Sequence, residues 1–165
     1  MCGKGDGGRS PAMSIPPPSP GFATSTGSRR RPPRVLVIED DDTPREFLSM
    51  ELHSAGFLVA QAADGEQGLQ ELLHFAPDVV VLDLMLPRLN GFDVARAARN
   101  VERKESKRRM AIVAVTALSS EALRAEALAA GCDALLVKPV RATQVVEQVR
   151  LLAARYEDPA SGNAR

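Results

Sequence analysis

The sequence contains few of the residues that stabilise small secreted folds or mark membrane spans. It has two cysteines, Cys2 and Cys132, which are too few for a disulfide framework and do not have the spacing of a metal-ligand motif. It has no tryptophan and only one tyrosine, so its core must be built mainly from aliphatic side chains. No apolar run approaches the ~20 residues that a membrane-spanning helix needs. These absences predict a soluble, cytoplasmic protein with an aliphatic core.

Charge is balanced over the whole chain but not along it. The 21 Lys and Arg equal the 21 Asp and Glu. Residues 1–34 contain six basic residues and one Asp, a net charge of 6 − 1 = +5, so residues 35–165 must carry −5. An acidic domain argues against broad nucleic-acid binding by the domain itself. The run Arg29–Arg31 is not followed by the apolar stretch of a secretory leader.

Composition divides the chain into a tail and one domain. Residues 1–33 hold seven of the twelve prolines and six of the twelve glycines, a composition that cannot bury enough apolar surface to offset the entropy of ordering. We expect a disordered basic tail at 1–33, one domain at 34–156 and a frayed C-terminus at 157–165. Because few residues follow the last predicted helix, the sequence predicts a stand-alone domain.

Five short apolar runs alternate with five amphipathic segments after residue 34. This alternation predicts an α/β fold in which a parallel sheet carries helices on both faces. Thr43 is the predicted N-cap of the first helix, with Pro44 at its first position and Phe47 on its inner face. The charged run at 102–109 is interpreted as a solvated helix end and loop.

Polar residues follow four of the predicted strands at the points where the strands end. They are Glu39 and Asp40, Asp83, Thr116 and Lys138. The carboxyl ends of parallel strands share one edge of a sheet, where α/β proteins bind ligands. Three clustered carboxylates repel one another unless a cation lies among them, and ligands that are all oxygen favour a hard ion such as Mg²⁺. A hydroxyl and an ammonium group could contact a phosphoryl group there.

Residues from about 34 to 155 resemble the receiver domain of two-component response regulators. The matching segments are VLVIEDDD, VVVLDLMLPRLNG, AVTA and LVKPV, each weak alone but specific in their joint order and spacing. The resemblance implies a flavodoxin-like, doubly wound sheet of five parallel strands in the order 2-1-3-4-5, with five helices. It also implies a phosphoacceptor that signals through protein interaction or acts as a phosphorelay shuttle, and not an enzyme with an external substrate.

The resemblance assigns a role to each acidic residue. Asp83 would accept a phosphoryl group from a phosphohistidine on a sensor histidine kinase or a histidine phosphotransfer protein. Asp40 and Asp83 would bind Mg²⁺ directly, Glu39 would act through water, and the backbone carbonyl of Met85 would complete the protein ligands.

The resemblance also assigns the surrounding positions. Thr116 and Lys138 would contact the bound phosphoryl group, and Pro87 and Gly91 would shape the loop after the acceptor. Many receivers have an aromatic residue three positions before the lysine, where this chain has Leu135, so an aromatic switch is not expected. A downstream protein would bind the face formed by helix 4, strand 5 and helix 5, with no membrane partner and no nucleic acid expected.

Three alternative functions remain open at this point. The first is a receiver-like interaction module that works without phosphorylation, although usable residues fill all five functional positions. The second is an aspartate-dependent phosphatase, whose DxDx(T/V) motif fails because Pro44 and Pro87 stand four residues after Asp40 and Asp83. The third is a flavin mononucleotide binder, which would need a phosphate-binding loop after the first strand that this sequence does not contain.

Overall fold

Strands and helices alternate along the chain in the predicted order. The computed structural model describes residues 31–105, 108–117 and 119–157. Its strands are β1 (Arg34–Ile38), β2 (Leu58–Ala62), β3 (Val79–Asp83), β4 (Ala111–Thr116) and β5 (Ala134–Val137). Its helices are α1 (Asp42–Ser54), α2 (Gly65–His74), α3 (Gly91–Lys104), α4 (Glu121–Ala130) and α5 (Ala142–Glu157). Residues 1–30 of the tail predicted at 1–33, and residues 158–165 of the C-terminus predicted at 157–165, lie outside the described residues.

The five strands form one parallel sheet in the order β2-β1-β3-β4-β5. This confirms the predicted flavodoxin-like fold class. Residues just before β1 already contact the sheet, because the Leu58 amide donates to the Pro33 carbonyl at 3.0 Å. Within the described part of the chain, no helix is both long and apolar enough to cross a membrane.

Alternate residues of the central strands build a separate core on each face of the sheet. On one face, Leu36 and Leu82 pack with side chains from α2, α3 and α4. On the other face, Val37 and Val81 pack with side chains from α1 and α5. Both faces of the strands are buried, as their continuous β-branched runs predict, and this rigid sheet fixes the positions of the strand ends.

The strand register brings the predicted polar residues to one edge of the sheet. Ile38 pairs with Leu82, so Glu39 and Asp83 each come next on neighbouring strands. Thr116 pairs with Val137, and Lys138 follows directly. We call this edge, defined by Glu39, Asp40, Asp83, Thr116 and Lys138, the carboxyl edge.

Two predictions about α1 are wrong. Asp41, not Thr43, is the N-cap: its carboxylate accepts a hydrogen bond from the Thr43 amide at 3.1 Å, and the helix begins at Asp42. Pro44 is still tolerated because it lies within the first turn, where backbone amides have no intrahelical partner. Phe47 is 56% exposed, since Leu48 and Leu52 occupy the inner face of the helix.

The interpretation of residues 102–109 as a solvated loop is wrong at its first residue. Glu102 is 9% exposed. Its carboxylate accepts from the Met110 amide at 2.7 Å and from Arg99 at 2.6 Å. Arg99 also donates to Asp133 at 2.7 Å, and Arg109 donates to the other Asp133 oxygen at 2.6 Å. We call Arg99, Glu102, Arg109 and Asp133 the amino-edge network, because they lie where β4 and β5 begin.

Candidate functional site

Three carboxylates meet at the carboxyl edge. Oxygen atoms of Glu39, Asp40 and Asp83 lie within 4.8 Å of one another. Asp83 is 6% exposed, Glu39 is half-buried and Asp40 is exposed. The cluster therefore has a buried side at Asp83 and an open side at Asp40, from which a small ion or a phosphodonor can approach.

Lys138 extends into this cluster from the end of β5. Its Nζ lies 2.6 Å from Asp83 Oδ2 and 2.8 Å from Glu39 Oε2. The backbone fixes its position, since the Lys138 amide donates to the Thr116 carbonyl at 2.8 Å. One ammonium faces three carboxylates, so this group of four side chains has a net charge of 1 − 3 = −2 when fully ionised.

The pKa values of Glu39 and Lys138 are both shifted, by burial and by the neighbouring charges. Burial raises the pKa of Glu39, and the charge of Asp83 adds to that shift although Lys138 opposes it. Burial lowers the pKa of Lys138, but its hydrogen bonds to Asp83 and Glu39 outweigh this effect, so the pKa is raised overall. The pKa shift of Lys138 therefore reflects its two carboxylate partners, whereas that of Glu39 reflects mainly burial.

The loop after Asp83 is held close to the carboxylate of this residue. The Met85 amide donates to Asp83 Oδ1 at 2.8 Å, while the Met85 side chain is 54% exposed. A Cβ at Gly91 would lie 2.3 Å from the Asp83 carbonyl oxygen, so only glycine fits there. Pro87 lies within the same loop, and its carbonyl accepts from the Leu89 amide at 2.8 Å.

Thr116 lies on β4, which pairs with β3, and Leu135 lies on β5, the next strand beyond it. Thr116 is fully buried at the end of β4, one residue beyond the pair formed by Asp83 and Val115. Leu135 pairs with Ala114 in the sheet and packs against the core that contains α2, α3 and α4. The structure therefore brings all the predicted site residues to this edge or its adjacent loop, with Leu135 inside the sheet next to it.

Sequence reasoning missed Arg45, whose guanidinium contacts the backbone carbonyls of Glu39 and Asp40. Its Nη1 donates to the Glu39 carbonyl at 2.8 Å and reaches the Asp40 carbonyl at 3.5 Å. Its side chain is only 12% exposed and also pairs with Asp42. The available signal was an arginine in the first turn of a helix that directly follows clustered acids. That pattern does not reveal which backbone groups the arginine contacts.

Known proteins resemble this chain in sequence. A family model for the response regulator receiver domain matches residues 35–150. The transcriptional regulatory protein AfsQ1 of Streptomyces coelicolor is 36% identical over 132 residues, which cover 80% of this chain and 56% of that protein. The DNA-binding response regulator MtrA of Mycolicibacterium smegmatis is 36% identical over 76% of this chain and 52% of its own length. The chain thus spans about half the length of the curated relatives it matches.

Solved structures show the same similarity over the domain. The receiver domain of the Francisella response regulator 1452 aligns with a TM-score of 0.66 and 28% identity, covering 74% of this chain and 98% of that one. A putative response regulator from Chloroflexus aurantiacus aligns with a TM-score of 0.67 and 30% identity, covering 75% of this chain and 99% of that one. The relative MtrA is a DNA-binding response regulator, so the expectation of no nucleic-acid partner is not confirmed.

Proposed function

This chain belongs to the response regulator receiver domain family, and from that premise we propose that Asp83 accepts a phosphoryl group from a phosphohistidine. The observation that carries this proposal is the contact of one lysine with both a buried strand-end aspartate and a neighbouring acid, at 2.6 Å and 2.8 Å. Receivers are signalling domains, and this one would act as a phosphorylation-dependent interaction switch or as a phosphorelay shuttle.

The transfer step joins Asp83 to phosphorus and releases the donor histidine. An Asp83 carboxylate oxygen attacks the phosphorus atom, a P–O bond forms, and the P–N bond breaks with its electron pair left on the imidazole nitrogen. The Met85 amide orients the carboxylate through Oδ1. The Lys138 ammonium donates a hydrogen bond to Oδ2. During transfer it would contact the phosphoryl oxygens and stabilise the negative charge that develops on them.

The acidic cluster fits a Mg²⁺ ion. Carboxylate oxygens from Glu39, Asp40 and Asp83 provide the hard donor set that this ion prefers, and with Lys138 these side chains carry a net charge of −2 when fully ionised. We assign Asp40 and Asp83 as direct ligands, Glu39 as a ligand through water, and the Met85 carbonyl as the remaining protein ligand. When bound, the ion would neutralise phosphoryl oxygens during transfer.

Phosphorylation would be transmitted through Thr116 and Lys138 to the face formed by α4, β5 and α5. Two large apolar side chains on elements of this face are exposed, Leu128 (53%) on α4 and Val137 (40%) on β5. Exposed apolar side chains that group on one face are typical of a protein-binding surface. Leu135 replaces an aromatic at the position between the site and this face, so the two-state shift would depend on aliphatic repacking.

Labelling with a small phosphodonor tests the proposal. Wild type, Asp83→Asn and the matched control Asp93→Asn, which changes an exposed aspartate on α3, are incubated with acetyl phosphate and Mg²⁺ and measured by intact mass. We expect the mass of one phosphoryl group on wild type and Asp93→Asn only. Equal labelling of Asp83→Asn would refute the acceptor assignment, and the absence of label on every protein would favour an interaction module that works without phosphorylation.

Steady hydrolysis of a generic phosphate ester would identify the alternative phosphatase. A receiver takes up one phosphoryl group per chain in a single turnover. The same preparations incubated with the ester should therefore release no more phosphate than a buffer control. Sustained release that depends on Asp83 would replace the receiver proposal with an enzyme.

A further inference from the structure

A basic surface lies at the opposite end of the strands from the acceptor. Arg31 places its Nη1 2.9 Å from the Asp78 carboxylate, and Arg108, far away in sequence, lies 4.0 Å from the other oxygen of that group. Arg31, Arg108 and Arg109 line one cleft of about 230 Å³. We call this cleft and its rim the basic surface. The fold thus joins two basic segments that the sequence keeps apart.

In the basic surface the guanidinium groups are exposed to solvent, and the carboxylates lie buried beneath them. The side chains of Arg31, Arg108 and Arg109 are 56%, 53% and 49% exposed. Those of Asp78 and Asp133 are only 15% and 13% exposed. A ligand that approaches from solvent therefore meets positive charge first, although each cation has an acidic neighbour beneath it.

The buried acids hold these arginines in place. Asp78 accepts from the Arg34 amide at 2.8 Å and from both terminal nitrogens of Arg31 at 2.9 Å. Asp133 accepts from the Ile112 amide at 2.8 Å and from Arg109 at 2.6 Å. A guanidinium has five N–H donors, so an arginine bound on its inner side keeps donors for an outer ligand. Its side-chain entropy is already reduced before any ligand binds.

The charged side chains of the basic surface, the amino-edge network and the adjoining end of α3 have a net positive charge. Seven cations lie here or in the adjoining end of α3, namely Arg31, Arg34, Arg99, Arg103, Lys104, Arg108 and Arg109, with four acids, namely Asp78, Glu102, Glu105 and Asp133. The sum is 7 − 4 = +3, whereas the four charged groups of the carboxyl edge sum to −2. The acidic average of the domain therefore conceals two ends of opposite sign.

We propose that the basic surface binds the phosphate backbone of a nucleic acid without reading its sequence. Guanidinium forks match phosphate oxygens, and a duplex presents about one negative charge per 1.7 Å of axis. An extended acidic peptide spaces its residues about 3.3 Å apart, so it offers a lower charge density to three guanidiniums that line a single cleft. Because the carboxyl edge repels such a polyanion, the acceptor would stay accessible while the nucleic acid is bound.

Binding of a labelled duplex of arbitrary sequence tests this proposal on the full chain. Fluorescence anisotropy is measured over a series of salt concentrations for wild type and for Arg31→Gln/Arg108→Gln. The matched control is Arg124→Gln/Arg150→Gln, which removes two exposed cations from α4 and α5. We expect about tenfold weaker binding for the first pair and a salt slope lower by about two, since each lost phosphate contact reduces the slope by about one. The control pair should bind like wild type.

Further measurements on the same variants distinguish loss of duplex binding from loss of folding and from binding of other polyanions. Labelling by acetyl phosphate checks that the two double variants are folded. Asp83→Asn, which takes no label, should bind the duplex like wild type because this surface does not depend on the acceptor. DNA and RNA duplexes of equal length distinguish the source of the backbone. The proposal is overturned if wild type shows no salt-dependent binding, if both double variants weaken equally, or if polyglutamate or anionic vesicles compete as well as the duplex does.

Discussion

The two edges of the sheet use the same kinds of charged side chain in different ways. At the carboxyl edge, one ammonium that is 31% exposed contacts two of three clustered carboxylates. In the amino-edge network, two carboxylates share two guanidiniums, and both acids also accept from backbone amides. Carboxylates that are fully paired stabilise the fold, whereas carboxylates in excess leave a site for a further cation. The number of cations per carboxylate, and not the type of residue, distinguishes a structural cluster from a reactive one.

Arg99→Met should produce the largest effect, because Arg99 is the centre of the amino-edge network. Its guanidinium contacts two acids as well as the Met110 and Gly131 carbonyls and is 12% exposed. Removing one partner of a buried ionic group leaves uncompensated charge, so we expect the free energy of unfolding in urea to fall by about 3–5 kcal/mol.

Lys138→Met is the matched control at the carboxyl edge. The Lys138 side chain is 31% exposed against 12% for Arg99, and added Mg²⁺ can compensate for the missing cation. The fall in unfolding free energy should therefore be smaller than for Arg99→Met and should shrink further with Mg²⁺. A larger loss at Lys138 than at Arg99 would contradict the distinction between the two edges.

Arg45→Ala should weaken Mg²⁺ binding, measured by isothermal titration calorimetry without a phosphodonor. If Arg45 acted only through its positive charge, its removal would strengthen the binding of a cation. If it holds the Glu39 and Asp40 carbonyls in place, its removal should weaken affinity by about tenfold, as loss of an outer-sphere partner does. Arg45→Lys should recover part of the affinity, and the exposed Arg96→Ala should behave like wild type.

Cys132 should show the smallest effect, which is almost no reaction with a thiol reagent in the folded protein. Burial raises the pKa of its thiol to about 11, with Asp133 adding to the shift and Arg99 opposing it. At pH 8 about one thiol in a thousand is then ionised, and the thiolate is the reactive form. In a Cys2→Ser background, release of the chromophore from a disulfide reagent should wait for denaturant. Rapid release from the native protein would show that this part of the amino edge opens easily.

The carboxyl edge could be predicted because it follows from local rules. A buried apolar run ends at a known residue, parallel strands place their ends together, and Asp83, Thr116 and Lys138 each follow or end such a run. The glycine at position 91 is explained only by the structure, where the Asp83 carbonyl leaves no space for a side chain. The first residue of α1 could not be predicted because Asp41 and Thr43 are both good N-cap residues. In the structure Asp41 is the cap, since its carboxylate accepts from the Thr43 amide.

The amino-acid sequence alone specifies the order of strands and helices, the two apolar faces of the sheet and the edge that carries Asp83. Those features depend on periodicity and chain direction, which are local. Only the tertiary structure decided that Glu102 is buried and that Arg31 and Arg108 share Asp78. It also decided that Lys138 bridges Glu39 and Asp83. The energy of a charge depends on its distance from other charges and from water, and both are set by residues far away in the chain.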